Sequence, residues 1–358
     1  MTKLKEHKPS KMEALKAMTP ADRRRAIFDG IMNNAMFIII ALVIIYVAIK
    51  NPRFLSIPSL VNIISLTAAK LPIALGVGGC IILAGTDISA GRQVGLAACI
   101  SAGLQLTTNK LFPGLQIMPI PVVLLCVLVA CALVGFVNGF FMAKFKLHPF
   151  IVTLSTQLIV YGLVLLFMQL GTNGGQTLSG MSEGYRNFII KPLFTLKTSS
   201  GPVTVPRYVL YSTIITAFVW VIWNKTAFGK NMYAVGSNEE AANVSGVNVS
   251  KTIILVFVMA GMLYGITGFM DAARIASVNA TTGLNYEADA IAACVIGGIS
   301  FVGGIGKVSG AIIGVLLLQI IFAGLNFLSV DANYLYIVKG LIILIACSID
   351  MRKYLVRK

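Results

Sequence analysis

The sequence predicts an all-α polytopic membrane protein of about ten transmembrane helices, some short or broken, with both termini cytoplasmic. Three observations carry this. Hydrophobic residues make up 57% of the 358 and charged residues 12%, a balance far from that of soluble globular domains. Long uncharged runs such as Phe37 to Ile49 and Ile253 to Met270 suit helices of about 20 residues crossing a hydrocarbon core about 30 Å thick. The basic residues behind the net charge of +16 lie in the tails and between apolar runs, without the aromatic interleaving of a nucleic-acid face.

The first apolar run, 31–49, follows Arg23, Arg24 and Arg25 and ends in Lys50, Asn51 and Pro52 rather than at a small-residue cleavage site. It reads as a retained anchor behind a basic cytoplasmic tail, residues 1–30. Further runs at 62–84, 91–108, 119–143, 150–170, 207–223, 252–271, 288–300, 308–328 and 333–349 are bounded by Pro, Gly and charge, giving one membrane domain over 31–350. A basic cytoplasmic tail, 351–358, closes the chain. The runs at 91–108 and 288–300 are short for a straight crossing and predict half-helices or tilted pieces supported by neighbours.

With the N-terminus inside, Lys144, Lys146, Lys225, Lys230, Lys251 and Lys307 all fall on the cytoplasmic side, as basic residues near span ends should. Lys70 and Lys339 remain within apolar runs. Both are expected to face protein, water or an interface, because a charge at the centre of the bilayer costs roughly 2.5–3.5 kcal/mol on insertion scales. Asp271 and Asp289 fall near outer ends, so the interior reads as poor in ionisable groups.

Two connections are long. Residues 171–206 lie outside and are rich in Gly, Ser and Thr; residues 224–250 lie inside. In the inner one, Ser237-Asn238-Glu239-Glu240 fits a capping box, with Ser237 accepting from the first turn and Glu240 reaching back. A short helix should follow, with Ala241, Ala242 and Val244 as a small apolar face and Gly246 as its stop. Two turns are marginal alone, so this helix needs a partner to pack on.

Glycines recur at four-residue spacing, at Gly91 and Gly95, Gly135 and Gly139, Gly261 and Gly265, then Gly306, Gly310 and Gly314, a spacing that lets helix backbones approach closely. Six cysteines lie within or beside apolar runs with no CxxC and no histidine at ligand spacing, and read as small buried hydrophobes. Neither His7 nor His148 has partners for a metal or catalytic site.

No GxxxxGK[ST] phosphate loop, HExxH or DDxxD motif occurs, so the chain reads as a transporter rather than an enzyme, and any ATP it uses is bound by another chain. Asn138, Thr153, Ser155, Thr156 and Gln157 offer neutral polar groups that suit a polyol such as a sugar, or hydrogen bonds between helices. AGTDISAGRQVG, residues 84–95, brings Asp87 and Arg92 to the inner connection between the second and third runs. Asp87 and Ser89 read there as a cap for the following helix and the segment as an inner gate or packing element. The candidate path or gate is therefore Asp87, Arg92, Asn138, Thr153 and Gln157.

GTDISAGRQVGLAA, HPFIVTLSTQLIVYG, WNKTAFGKNMYAVGSNEEAANVSGVNV and YEADAIAACVIGGISFVGGIGKVSGAIIG, in that order between Phe28 and Lys353, resemble the ribose/galactose-type permeases of bacterial ABC sugar importers. The resemblance implies a multi-pass permease subunit of the bacterial cytoplasmic (inner) membrane, paired as a homodimer. It would receive a monosaccharide, galactose or a methyl-galactoside foremost, from an extracytoplasmic sugar-binding protein. Alternating access would be driven by a separate ABC ATPase on the cytoplasmic side, which binds the ATP and Mg. No cofactor, metal or catalytic residue is implied in this chain. The segment matching Gly229 to Val247 resembles the family's ATPase-coupling element, a role carried to Asn238, Glu239, Glu240, Ala241, Ala242 and Gly246. The tail before Arg25 is longer and more charged than the family's and would lie against anionic lipid. The residues alone also admit a secondary, ion-coupled sugar transporter or a membrane-bound transferase.

Overall fold

The computed structural model describes Thr19 and residues 35–355 apart from 113, 172, 199 and 200. The basic tail expected over 1–30 lies outside the described residues except for Thr19, as do residues 356–358 of the C-terminal tail. Each expected apolar run is met by a helix: α1 (Ala35–Lys50), α2 (Ile57–Ile82), α3 (Ala90–Gln105), α4 (Ile120–Phe145) and α5 (Pro149–Met168) in the first half. A short helix, α6 (Glu183–Ile190), precedes α7 (Arg207–Lys225), α8 (Ala227–Ser237) and α9 (Glu239–Val244). The chain ends with α10 (Val249–Ile275), α11 (Tyr286–Ile296), α12 (Val308–Phe327) and α13 (Ala332–Leu355), the last running on through 351–355.

Five of these, α2, α4, α5, α10 and α12, are long and apolar enough to cross a membrane among the described residues. They differ in what they bury. On α2 and α10 most positions are sealed inside the bundle, whereas α4 and α5 leave Leu125, Leu133, Leu158 and Leu166 outward, as helices facing lipid do. α10 is the axis, packed on α4, α3 and α2.

Glycines fix the closeness of that packing. A Cβ at Gly135 or Gly261 would run into the carbonyl of Phe257 or Cys131 on the opposite helix, so α4 and α10 touch backbone to backbone. The expected seams at Gly135/Gly139 and Gly261/Gly265 are thus two sides of one helix contact, whereas Gly91 and Gly95 press on the carbonyls of Gly283 and Thr282 in the non-helical stretch before α11. Gly310 and Gly314 press in the same way on Gly297 and Ala293 at the end of α11.

One end of the bundle carries all the strands found among the described residues. Residues 171–206, expected as a loop, instead hold β1 (Leu178–Ser179), α6, β2 (Pro192–Thr198) and β3 (Gly201–Pro206). β2 and β3 form an antiparallel hairpin with Thr195 opposite Thr204. β1 pairs with β4 (Ser277–Val278), Leu178 opposite Val278, tying the connection after α5 to the one after α10. The Tyr185 side chain of α6 is buried, its hydroxyl donating to the Phe269 carbonyl. α8 and α9 occupy the other end.

The two short runs have a common cause. α3 has 16 residues and α11 only 11, and each follows a non-helical stretch that takes up part of the depth. After β4 at the hairpin end, residues 279–285 descend without helix, and Asn285 takes a left-handed turn (φ 62°) into α11. The first residue of α11, Tyr286, lies beneath the ammonium of Lys70 of α2. Lys70 stands 13 residues, roughly 20 Å, below the start of α2. α11 therefore begins deep in the bundle.

Candidate functional site

Three caps in succession shape the end opposite the hairpin. Thr226 Oγ1 accepts from Gly229 N at 3.1 Å and starts α8; Asn238 Oδ1 accepts from Ala241 N at 2.8 Å and starts α9; Asn248 Oδ1 accepts from Lys251 N at 2.9 Å and starts α10. The expected capping box is shifted by one residue. Ser237 is still helical as the last residue of α8 and its hydroxyl donates back to the Tyr233 carbonyl, so it is not free to cap. Asn238, extended at φ −163°, takes that place, and no hydrogen bond from Glu240 closes a box among the described residues.

α9 is the two-turn helix that the sequence predicts, and Gly246 ends it: at φ +83° its N–H bonds to the Asn243 carbonyl and that of Val247 to Ala242. Its expected apolar face is corrected. Only Ala242 packs inward, while Ala241 is exposed and Val244 is 89% exposed. Asn238, Glu239, Glu240, Ala241, Asn243 and Val244 thus form one outward surface.

α8 connects that surface to the bundle. A Cβ at Gly236 would collide with the Ile82 carbonyl at the end of α2, and Gly304 N donates to the same carbonyl at 2.8 Å. Tyr233 donates its hydroxyl to the Gly306 carbonyl at 3.0 Å, and half-burial raises its phenol above its ordinary pKa. α8 is thus wedged between the end of α2 and the 297–307 connection that joins α11 to α12. Through α8, α9 is thus joined to both.

The candidate path residues divide into two groups. Asp87, Asn138 and Thr153 are fully buried in a hydrogen-bonded knot rather than lining any surface. The Ser89 hydroxyl donates to Asp87 Oδ1 at 2.5 Å and accepts from Gln93 Nε2 at 2.9 Å and Asn138 Nδ2 at 3.0 Å, which exhausts its capacity. Thr156 donates to Asn138 Oδ1 at 2.6 Å, and Thr153 to the Thr86 carbonyl at 3.4 Å and Pro149 at 2.9 Å. Asp87 does accept a backbone N–H, but from Ser89 in a turn, at 2.9 Å, rather than from the free donors of α3.

Arg92 and Gln157 are half-exposed. Arg92 donates to the Ala280 carbonyl at 3.2 Å and its guanidinium carbon stands 4.2 Å from the centre of the Tyr161 ring. Gln157 lies one turn from Tyr161 on α5, with its Oε1 enclosed and unpartnered.

The bundle also holds ionisable groups that the sequence reading put at its edges. Asp271 is fully buried and bonds to Arg274 Nε at 2.8 Å, with Lys70 Nζ at 3.7 Å. Asp289 of α11 takes Lys339 Nζ of α13 at 2.9 and 3.0 Å on its two oxygens. Lys70 and Lys339 therefore do face protein, each beside a carboxylate. The burial of these carboxylates was missed because each lies near the end of an apolar run, and their pairs with Lys70 and Lys339 join residues far apart in sequence.

Four of the six cysteines are buried, Cys126 is exposed and Cys347 is half-buried. His148 caps α5, accepting from Phe150 N at 3.3 Å. Among the described residues no group of His, Cys, Asp and Glu stands where it could hold a metal ion.

Comparison with known proteins adds the family. Residues 59–347 match a family described as branched-chain amino acid transport system / permease component. A galactose/methyl galactoside import permease protein of Haemophilus influenzae is 41% identical over 334 residues, 92% of this chain and 97% of the relative. Its counterpart in Escherichia coli K12 is 39% identical over 338 residues, 94% of this chain and 98% of the relative. A ribose import permease protein of Bacillus subtilis is 34% identical over 341 residues, covering 93% and 97%. No solved structure matches the chain.

Proposed function

The chain belongs to this family of ABC-type importer permeases, as a membrane-spanning sugar-import subunit of the bacterial inner membrane, and we propose that its cargo is galactose or a methyl galactoside. The support for that sugar is near-full-length identity of 41% and 39% to two such permeases, against 34% to a ribose permease. The proposed topology is ten spans, α1 to α5, α7 and α10 to α13, over a membrane domain of 31–350. Basic tails at 1–30 and 351–358 both lie in the cytoplasm, so the hairpin end faces outward and α8 and α9 face in. Lys144, Lys225, Lys230 and Lys251 then border the cytoplasm, in keeping with the positive-inside rule.

The partners proposed are a second copy of this chain, an ABC ATPase on the α9 side that binds ATP and Mg, and an extracytoplasmic sugar-binding protein on the hairpin side. The observation that carries the coupling role is the wedge of α8 between Ile82 and Gly304, below an exposed α9. Asn238, Glu239, Glu240, Ala241 and Gly246 form or shape the docking surface, and Ala242 is the point where α9 rests on the bundle. ATP binding in the partner pulls on α9, and α8 passes the motion to the ends of α2 and α12, closing one side and opening the other. In this reading Asp87, Asn138 and Thr153 stiffen the inner gate, and Arg92 and Gln157 line the path.

The test is uptake of labelled galactose by liposomes holding the permease, its ATPase and its binding protein. Uptake should require enclosed ATP and survive dissipation of the proton gradient. Uptake that collapses with the gradient while ATP is maintained would establish a secondary transporter instead.

A further inference from the structure

Arg92 stands at a depth where a half-exposed charge needs a reason. The far end of α3 is pinned at the hairpin side, where Gln105 Nε2 donates to the Met118 carbonyl and Gln105 Oε1 accepts from Ser182. Arg92 is 13 residues earlier on the same helix, roughly 20 Å deeper, well inside a hydrocarbon core of about 30 Å. Three polar side chains share its surroundings and are also half-exposed: Gln157 and Tyr161 on α5, and Glu287 on the first turn of α11. Glu287 lies against α3 beside Arg92, its carboxylate next to Gly91 where any Cβ would stand. The neighbouring α5 positions Leu158, Ile159 and Leu163 point outward and are apolar. Acyl chains can cover those leucines but not a guanidinium and a carboxylate.

The chemistry left unsatisfied is specific. Arg92 has five N–H donors, and Ala280 takes one of them. Glu287 receives no hydrogen bond from another side chain among the described residues, and Gln157 Oε1 has no partner. Tyr161 adds an aromatic face. One positive and one negative charge cancel locally, so the patch offers no field that selects an ion. Spare donors, spare acceptors and a ring match a molecule whose hydroxyls donate and accept and whose C–H face is apolar. We propose that Arg92, Gln157, Tyr161 and Glu287 form a subsite for a neutral monosaccharide in the translocation path. The inference rests on the sugar-permease reading and deepens it, since Tyr161 and Glu287 carry no signal in the sequence beyond their polarity.

Two measurements on the reconstituted importer test it. Labelled D-galactose uptake should fall about tenfold in Glu287→Gln and in Tyr161→Leu, the loss expected when one charge-assisted contact or a stacked ring is removed. Tyr161→Phe, which keeps the ring, should stay within about twofold. Co-purification of the ATPase chain with each variant controls for folding. Separately, a water-soluble methanethiosulfonate should label Gln157→Cys well above the wild-type background and leave Leu158→Cys at that background. Unchanged uptake in both Glu287→Gln and Tyr161→Leu, or a Gln157→Cys as unreactive as Leu158→Cys, overturns the subsite. Wild-type liposomes that take up no galactose with ATP overturn the transport reading instead, and the labelling still decides whether the patch meets water.

Discussion

Lys70 Nζ lies 3.7 Å from Asp271 Oδ2 inside the bundle, and neither atom makes a hydrogen bond. The lysine instead sits over the Tyr286 ring, and Asp271 gives its other oxygen to Arg274. The carboxylate thus balances two cations from two helices. Removing it should be more damaging than removing either of them. Asp271→Asn is expected to cost roughly 3–5 kcal/mol, the penalty of leaving a buried charge unpaired, and Lys70→Met distinctly less. Melting of the detergent-solubilised variants ranks them, and equal melting points would remove this account.

The knot around Ser89 should behave as structure rather than as a binding site. Asn138→Leu removes one donor to the Ser89 hydroxyl and one acceptor from Thr156, each of which keeps another partner, and should destabilise by about 1 kcal/mol. Asp87→Asn keeps an acceptor for Ser89 and should preserve most galactose uptake. Abolished uptake in a folded, dimeric Asp87→Asn that still binds its ATPase would return Asp87 to the path.

Gly236→Val drives a branched side chain into the Ile82 carbonyl, a backbone atom that cannot swing aside. The expected result is an α8 lifted from its seat, at a cost of about 1–3 kcal/mol, and ATP-driven uptake lost from a protein still inserted in the membrane. Protease sensitivity at the α8–α9 junction reports the displacement directly, and wild-type uptake would show that α8 transmits nothing.

Glu240→Ala combined with Gly246→Val should leave the membrane domain intact and separate ATP hydrolysis from uptake, because Gly246 holds φ +83°, which a β-branched residue strongly resists. Parallel assays of hydrolysis and uptake in the same liposomes distinguish this from simple loss of assembly. Normal transport by the double variant would dismiss α9 as the docking surface.

The corrected cap gives a smaller, local expectation. Asn238→Ala should destabilise α9 by about 1 kcal/mol, whereas Ser237→Ala should cost less, because its hydroxyl only donates back along α8. Amide exchange at Ala241 is the probe. Equal protection in the two variants would restore Ser237 as the cap.

Helices were legible where one physical signal dominates. Uninterrupted apolar length marked α2, α4, α5, α10 and α12, and the glycine spacing marked the α4–α10 seam. The stop of α9 was legible too, because a glycine following a short polar helix has few other uses. The hairpin was not: the Leu193 to Thr198 alternation is brief, and its strands bury little besides Val205. Nor was the Ser89 knot, which joins three helices whose hydroxyls and amides look alike whether they meet a solute or one another. The cap slipped by one residue because Ser and Asn are both good caps, and only the end of α8 decides between them.

Lys339 reaches Asp289 across 50 residues of sequence. α11 is 11 residues long, begins deep in the bundle and carries Glu287 and Asp289 in its first turn, so it is a poor candidate for recognition by the insertion machinery as it emerges. Asp289 acquires Lys339 as its counter-ion only when α13, which follows it in the chain, has been made. The tie between α11 and α13 therefore forms only after Lys339 has been synthesised, however well the first half has already inserted.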